Sequence, residues 1–594
     1  MRWIVRLNEL LRRGRIRFAN ALRRRRLVPR YIVLSLSGEI QELPPSRPDF
    51  PLANWLFPAS PITVSGLRAL LEQIAGDSRI EGVVLRIDHS ASPAVHQSLR
   101  QEVLDFRARG KRAIAYAKAF GPFQYYVATA CDQIIMPPSA EWAVLGLRRE
   151  YVFLKDALDR LGVHVDVFNV SPFKSAGDPF TRTDFSEESR AQAEWLLDEN
   201  WREVLRGIAE GRRLSETRAQ ELIDAAPLSA QEAVEAGLLD AALYEDELEH
   251  FLQSLPTGQV ASLGARTKSR RSAPPTLGLH DECRKAILIP EKRDQIGDKI
   301  IAVVGIEGMI VEGHSQSLPF PIPIPLPFGE QLAGAESIAQ AVRRAERNDD
   351  IAAVIVHVDS GGGSALASDL IAREIKRLRN KKPVVVYMSG AAASGGYYVS
   401  APANVIIAQP LTLTGSIGVI ALRPNAAGVD ERLGLRRTVL RRGARAGLLG
   451  LSTPLNDDER NAALRSLNRF YADFKRVVMQ GRALTEEELE PVAGGRVWSG
   501  RQALQHKLVD ELGNFRRAIE KACELAGLPR EPQPRIALLV PPRKPALPLA
   551  FSAWMAGAVR PSTDAGLHGG SWLHALFSRW QVWAIWPWWA RTLD

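Results

Sequence analysis

IEGVVLRID at residues 80–88 and IAAVIVHVD at residues 351–359 are two versions of one stretch, set 271 positions apart. Both are rich in Ile, Val, Leu and Ala and close on an aspartate, the pattern of a strand buried on both faces of a parallel sheet. At the same offset Tyr116 and Tyr126 map onto Tyr387 and Tyr397. After a one-residue slip CDQIIMPP (131–138) aligns with ANVIIAQP (403–410). Farther on, SEESR (186–190) and AVEAGLLD (233–240) are echoed by NDDER (456–460) and ALQHKLVD (503–510). The chain therefore reads as a tandem duplication. Strands alternate with helical stretches such as Leu366–Leu378, so each copy is expected to be an α/β unit built from right-handed crossovers.

The copies are expected at residues 31–255 and 299–530, within a chain of 594 residues that is too long for one hydrophobic core. Residues 256–298 are polar and basic with no sustained apolar period, which predicts a linker. Each copy carries a Pro-rich apolar insertion after its first strand, Pro44–Pro61 and LPFPIPIPLPFG (318–329). Their prolines force an extended strip, expected either as a greasy rim or as a contact with a neighbouring subunit.

Charge is concentrated at one end. Residues 1–30 hold eleven arginines and a single acid, Glu9, which accounts for the whole net charge of +10. The rest of the chain is electroneutral, which argues against a nucleic-acid-binding globule. Trp3, Ile4, Leu7, Leu10, Leu11, Phe18, Leu22 and Leu27 interleave with the arginines, as in a basic amphipathic helix at an anionic membrane surface; a solvated basic tail is the plainer alternative. Residues 531–594 form the other end. Seven of the thirteen tryptophans fall in its last 41 residues, so it is expected at a membrane interface or docked on protein. No stretch offers the ~18 uninterrupted apolar residues of a membrane-spanning helix. Association with a membrane is therefore expected to be peripheral. Cys131, Cys283 and Cys523 lack zinc-ligand spacing and no histidine pair forms HExxH, so neither metal nor cofactor is expected.

Two short segments carry chemistry. MSGAAASGGYY places Ser394 between a strand and a helix opening at Gly395, where small neighbours let a substrate backbone approach. VDSGGGS (358–364) follows the buried strand, and its glycines can present amides to a developing oxyanion. The first copy has Phe123 aligned with Ser394, and Ser90, Ala91 and Ser92 in place of Gly361–Gly363. It has instead Lys174, in SPFKSAGDPF, where the second copy offers only Gly443, Ala444, Arg445 and Ala446. Each half keeps what the other has lost.

In these motifs, SPFKSAGDPFTR, VDSGGGS, AASGGYYVSAPAN and LTLTGSIGV in that order, the chain resembles the long, tandem-repeat form of the signal peptide peptidase A (protease IV) family of serine proteases. The resemblance runs over roughly residues 31–530 and implies a Clp protease/crotonase-like fold, duplicated. It implies Ser394 as nucleophile, Lys174 as general base, and Ser416 of the TGSIG segment holding the lysine amine. The oxyanion glycine falls at Gly362 or Gly363, with the Gly395 N–H as second donor. It also implies a homo-oligomer, a ring or tetramer, at a bacterial inner membrane. Gly361 stands where the family commonly has proline, and the arginine-rich segment stands where well-known bacterial members have a membrane-spanning anchor.

A free lysine, with a pKa of ~10.4, can act as a base near neutrality only if it is desolvated. Phe173, Phe180 and the uncharged 383–422 stretch are expected to provide that. The function expected is an endopeptidase that cleaves apolar peptides, such as released signal peptides, in extended form. A protease-derived membrane scaffold without turnover and a crotonase-like acyl-CoA enzyme are the alternatives from other classes.

Overall fold

Val83, Leu85 and Ile87 point to one face of their strand and Val84 to the other, and all four are buried in two separate apolar clusters. That is why the stretch carries the unbroken apolar run Val83, Val84, Leu85 rather than a strict alternation. The computed structural model describes residues 2–44, 62–255, 276–290, 299–317, 331–530, 534–539, 543–545 and 583–585. They form two compact units, one of residues 1–148 and 198–297, the other of residues 149–197 and 298–593.

The first unit is built on six strands in the order Ala241–Ala242, Gln133–Met136, Arg112–Tyr116, Gly82–Ser90, Tyr31–Glu39 and Leu277–Leu279, every adjacent pair parallel. Helices Val64–Ala75 and Pro93–Ala108 cross over between strands. The first buries Val64, Leu67, Leu71 and Ile74, one helical stripe, and starts where the Thr63 hydroxyl accepts the Gly66 N–H. Leu277–Leu279 lies within the segment read as a linker. Three residues are too few to show a period, yet they add an edge strand beside Tyr31–Val33, and the following Ile287 is fully buried.

The second unit repeats the plan with strands Val384–Ala393, Ile351–Ser360, Ile300–Glu307 and Arg535–Leu538 side by side and parallel. Its buried strand residues, such as Val354, Val356 and Val358, each contribute roughly 1.5–3 kcal/mol of apolar burial. Equivalent hydrogen bonds mark the duplication. Asp240 accepts the Ile134 N–H and an Arg212 N–H, as Asp510 accepts those of Ile406 and Arg482.

A second sheet of this unit runs Arg543–Pro545, Ser315–Ser317, Gln331–Gly334, Met309–Val311, Gly362–Ser364, Trp583–Ile585, Ile420–Asn425 and His164–Asn169. The last two strands pair antiparallel over six residues. The buried Arg423 guanidinium donates to Asp166 at 2.8 Å and to the Thr453 carbonyl at 2.6 Å. These bonds place residues 149–197, which the sequence assigns to the first copy, with the second unit. The division thus differs from the expected 31–255 boundary: ladder pairing, which the repeat pattern does not encode, decides it.

Helix Arg2–Arg23 opens the chain. Asn20 donates to the Ile289 carbonyl and accepts the Ile289 N–H, which docks the helix end, while Leu11, Phe18 and Leu22 remain exposed along one face. Among the described residues no helix is long and apolar enough to cross a membrane. The Pro-rich strips, apart from Pro44, and most of the Trp-rich tail lie outside the described residues.

Candidate active site

Strand Val384–Ala393 delivers Ser394 to the mouth of helix Gly395–Ser400 with φ 55° and ψ −115°, a conformation a non-glycine residue adopts only when its surroundings enforce it. The Ser394 N–H is held by the Gly415 carbonyl at 2.8 Å. Tyr125 donates its hydroxyl to the Leu238 carbonyl, and Tyr397 donates to that of Leu508. These two tyrosines are therefore the equivalent pair. This corrects the sequence alignment of Tyr126 with Tyr397, and with it that of Phe123 with Ser394. Tyr116 and Tyr387 do correspond, because they pair in register with Arg86 and His357. The second copy thus carries one extra residue between them and the helix, and Pro122 and Phe123 occupy the places of Ser394 and Gly395. In the first unit, Phe123 stacks on His96 at 5.2 Å and His96 lies 5.2 Å from His89. Burial pushes these imidazoles down to about 3 and about 4, so aromatic packing fills that position.

Lys174 follows the His164–Asn169 strand, its N–H held by the Ser171 carbonyl at 3.0 Å, and a short 3₁₀ turn, Ser175–Gly177, comes after it. Its Nζ lies 2.7 Å from Ser394 Oγ, 2.8 Å from Ser416 Oγ and 3.0 Å from the Ser416 carbonyl oxygen. Ser416 is also at positive φ, 51°, with its N–H donated to the Arg496 carbonyl. Ser394, Lys174 and Ser416 are only 0%, 1% and 1% exposed. Loss of hydration holds the lysine well below its ordinary pKa.

The desolvating neighbours include two that the sequence reading did not single out. A Cβ on Gly495 would come within 2.7 Å of the Lys174 Cα, Cβ and N, and one on Gly418 within 3.4 Å of Cδ, so both glycines pack on the lysine stem. The Gly494–Gly495 pair just before strand Val497–Ser499 was the available signal. Phe173 instead lies under the Arg496 guanidinium at 4.0 Å and beside Trp195.

The glycine turn is built for close backbone approach. The Gly362 N–H donates to Ser360 Oγ at 3.1 Å, and that hydroxyl donates to the Gly308 carbonyl. A Cβ on Gly395 would meet the Gly363 nitrogen at 3.1 Å, so the Gly363 and Gly395 backbones abut beside Ser394. Asp359, its pKa raised by burial, accepts the Ala391 N–H at 3.0 Å and ties this turn to the strand that carries Ser394. Next to Gly395 lies a cavity of about 130 Å³ lined by Leu366, Ser368, Asp369, Tyr398, Val419 and Phe474, among others.

Residues 105–255 and 376–529 each match the family model for peptidase family S49. The chain belongs to peptidase family S49. Its relatives include the chloroplastic serine protease SPPA of Arabidopsis thaliana, 33% identical over 468 residues, covering 77% of this chain and 64% of that one. Protease 4 of Haemophilus influenzae is 30% identical over 469 residues, covering 77% and 72%. Among solved structures, ClpP1 from Listeria monocytogenes is 15% identical over 36% of this chain and 91% of its own, with a TM-score of 0.21. This S49 peptidase is a serine protease, and the double match is the duplication seen in the sequence. The acyl-CoA alternative falls away with that membership.

Proposed function

We propose that this S49 peptidase hydrolyses peptide bonds with Ser394 as nucleophile and Lys174 as general base. The observation that carries the reading is the 2.7 Å contact between Lys174 Nζ and Ser394 Oγ at a lysine that is 1% exposed. A neutral amine donates its two hydrogens to the Ser416 carbonyl and hydroxyl oxygens and turns its lone pair to Ser394. Ser394 Oγ then adds to the substrate carbonyl carbon as its proton passes to Nζ. The oxyanion is held by the Gly363 and Gly395 amides; Gly362, whose N–H is engaged by Ser360, is the less suitable donor. The ammonium returns the proton to the departing amine, and Lys174 deprotonates the water that cleaves the acyl-enzyme.

The cavity beside Gly395 takes the side chain preceding the cleaved bond. Its modest volume, and the Leu366, Val419 and Phe474 side chains that face Asp369, Asp473 and Arg476 across it, favour small to medium apolar side chains on its apolar side. Apolar peptides such as cleaved signal peptides fit that preference. The exposed apolar face of helix Arg2–Arg23, with its arginines, supports peripheral attachment to an anionic membrane such as a bacterial inner membrane. A homo-oligomeric ring or tetramer completes the reading. The test is a fluorophosphonate probe together with peptide hydrolysis. Wild type should label and turn over, Ser394→Ala should do neither, and Lys174→Ala should lose turnover. Labelling of Ser394→Ala at wild-type level, or turnover by either variant, would sink the assignment; a wild type that neither labels nor turns over would leave the scaffold reading.

A further inference from the structure

The ladder between strands Ile351–Ser360 and Val384–Ala393 breaks just before the reaction site. Val358 pairs with Met388 and Ser360 with Ala392, so three residues, 389–391, stand against Asp359 alone. A bulge of this kind bends its strand and re-aims the residues that follow, which here are Ala393 and Ser394. On the opposite strand the chain goes on directly into the glycine turn, where Ser360 holds Gly362 and the Gly363 nitrogen abuts Gly395. The shape of the bulge therefore sets how Ser394 stands against the amides of Gly363 and Gly395.

Side chains hold the bulge where the ladder does not. Asp359 accepts the Ala391 N–H at 3.0 Å, and the Thr412 and Thr414 hydroxyls donate to the Ser389 and Ala392 carbonyls at 2.6 Å and 2.8 Å. The buried Ser389 hydroxyl lies 2.9 Å from His357 Nε2. His357, also buried, stacks on Tyr387, and its Nδ1 is 3.4 Å from Glu307 Oε1. Gly305 is the strand partner of His357, and a Cβ on it would sit 3.2 Å from Glu307 Oε1, so the glycine leaves room for that carboxylate to fold back onto the imidazole. Burial raises the Asp359 pKa, and a hydrogen bond from the Ser389 side chain works the other way. A carboxylate only accepts, so the Ser389 O–H goes to Asp359 and its oxygen takes the Nε2–H of His357. Glu307, His357, Ser389, Asp359 and the Ala391 amide thus form one chain of contacts across three adjacent strands.

Serine, imidazole and carboxylate in this order resemble a hydrolytic relay, but a nucleophile hands its proton to the imidazole, and the Ser389 proton points away from it. The first copy, which lacks a nucleophile, has Arg86 and Lys118 at the places of His357 and Ser389. The network therefore goes with the reaction site rather than with the fold. We infer that His357, Ser389 and Glu307 are positioning residues: acting through Asp359 and Ala391, they fix the bulge that brings Ser394 and the Gly363 and Gly395 amides into one frame. The inference rests on the reading of Ser394 as nucleophile. None of the three touches substrate. Their loss falls on the tetrahedral intermediate, which needs nucleophile and donors in register, and spares substrate binding.

The test uses full-length protein, with total fluorophosphonate labelling to count competent sites. Ser389→Ala and His357→Leu should each lower kcat per labelled site by about 10- to 100-fold, with KM for a fluorogenic apolar peptide within about threefold of wild type. Affinity for a peptide boronate, whose tetrahedral adduct rests on the same amides, should fall by the same factor as kcat. The double variant should lose no more than the worse single one, because the two residues act as one unit. His357→Gln, whose amide can donate to Ser389 from the place of Nε2, should recover kcat to within about threefold of wild type. Wild-type kcat in Ser389→Ala, additive losses in the double variant, a loss carried by KM with boronate affinity unchanged, or a His357→Gln no better than His357→Leu overturns the inference. Should His357→Leu not fold, the near-isosteric Ser389→Ala decides through kcat, KM and boronate affinity. If wild type neither labels nor turns over, the nucleophile reading has failed, and amide hydrogen exchange still decides whether the network holds the bulge. The Ala391 N–H should exchange faster in Ser389→Ala than in wild type, and equal exchange overturns the lock.

Discussion

Gly495 lies so close to Lys174 that a Cβ on the glycine would sit 2.7 Å from the lysine's Cα, Cβ and backbone nitrogen. Its φ of +87° is also one that side-chain-bearing residues rarely adopt. Gly495→Ala must therefore push the segment 171–177 outward and lengthen the contact of Nζ with Ser394. Because displacement of a reacting group by about 1 Å can cost ~100-fold, kcat should fall by about that factor. Steady-state kinetics with a fluorogenic peptide checks this, and near-normal kcat would show that the lysine's position is not set from this side.

The pH dependence follows from which form of Lys174 works. Desolvation lowers its pKa, so kcat/KM should rise as pH climbs through that lowered value and level off once the amine is neutral. Lys174→Arg keeps a charge at every accessible pH and should be inactive across the whole range. Ser416→Gly should give an intermediate loss of about tenfold to a hundredfold, since the carbonyl at 416 still accepts from Nζ and glycine tolerates φ 51°. Wild-type activity in Ser416→Gly would remove the hydroxyl from the proposed machinery.

The same burial has a stability cost whose sign can be worked out. In the folded chain Lys174 has a lowered pKa, so between that value and ~10.4 the unfolded chain binds more protons and stability rises with pH. Lys174→Met removes the need to neutralise the amine. It should be more stable than wild type at pH 7, and the advantage should shrink as pH approaches 10. Denaturant midpoints measured at pH 7, 8.5 and 10 test this; a constant difference would mean that the amine titrates normally in the folded state.

Sequence reading went farthest where motif and period are long. The paired strands 80–88 and 351–359 and the helix near 366–378 are legible because ten or so residues carry a pattern. Ser394 and Lys174 stand out in motifs and Ser416 follows from the family resemblance; the fold brings both serine hydroxyls, one of them 242 positions away in sequence, within hydrogen-bond distance of Lys174 Nζ. What stayed hidden depends on partners rather than on pattern. Leu277–Leu279 and Trp583–Ile585 are strands because an edge is waiting for them. Gly495 matters for what lies opposite it. The one-residue insertion ahead of Ser394 is invisible until the Tyr125 and Tyr397 hydroxyls are seen to make the same bond.

The last prediction concerns the cavity beside Gly395. Val419 is nearly fully buried and lines it, next to Gly418, which packs on the Lys174 stem. Val419→Ala enlarges the space at the cost of about one Val-sized cavity step, which cores tolerate at about 1–3 kcal/mol. The substitution should move preference toward larger apolar residues before the cleaved bond. One methylene in an apolar pocket discriminates by roughly 10–200-fold, so the ratio of kcat/KM for Leu over Ala at that position should rise by at least about tenfold. Acceptance of charged residues is governed by Asp369, Asp473 and Arg476, which also line the cavity, and should be the same in both proteins. A peptide library profiled against wild type and Val419→Ala reads both effects, and an unchanged Leu-to-Ala ratio would place the specificity pocket elsewhere.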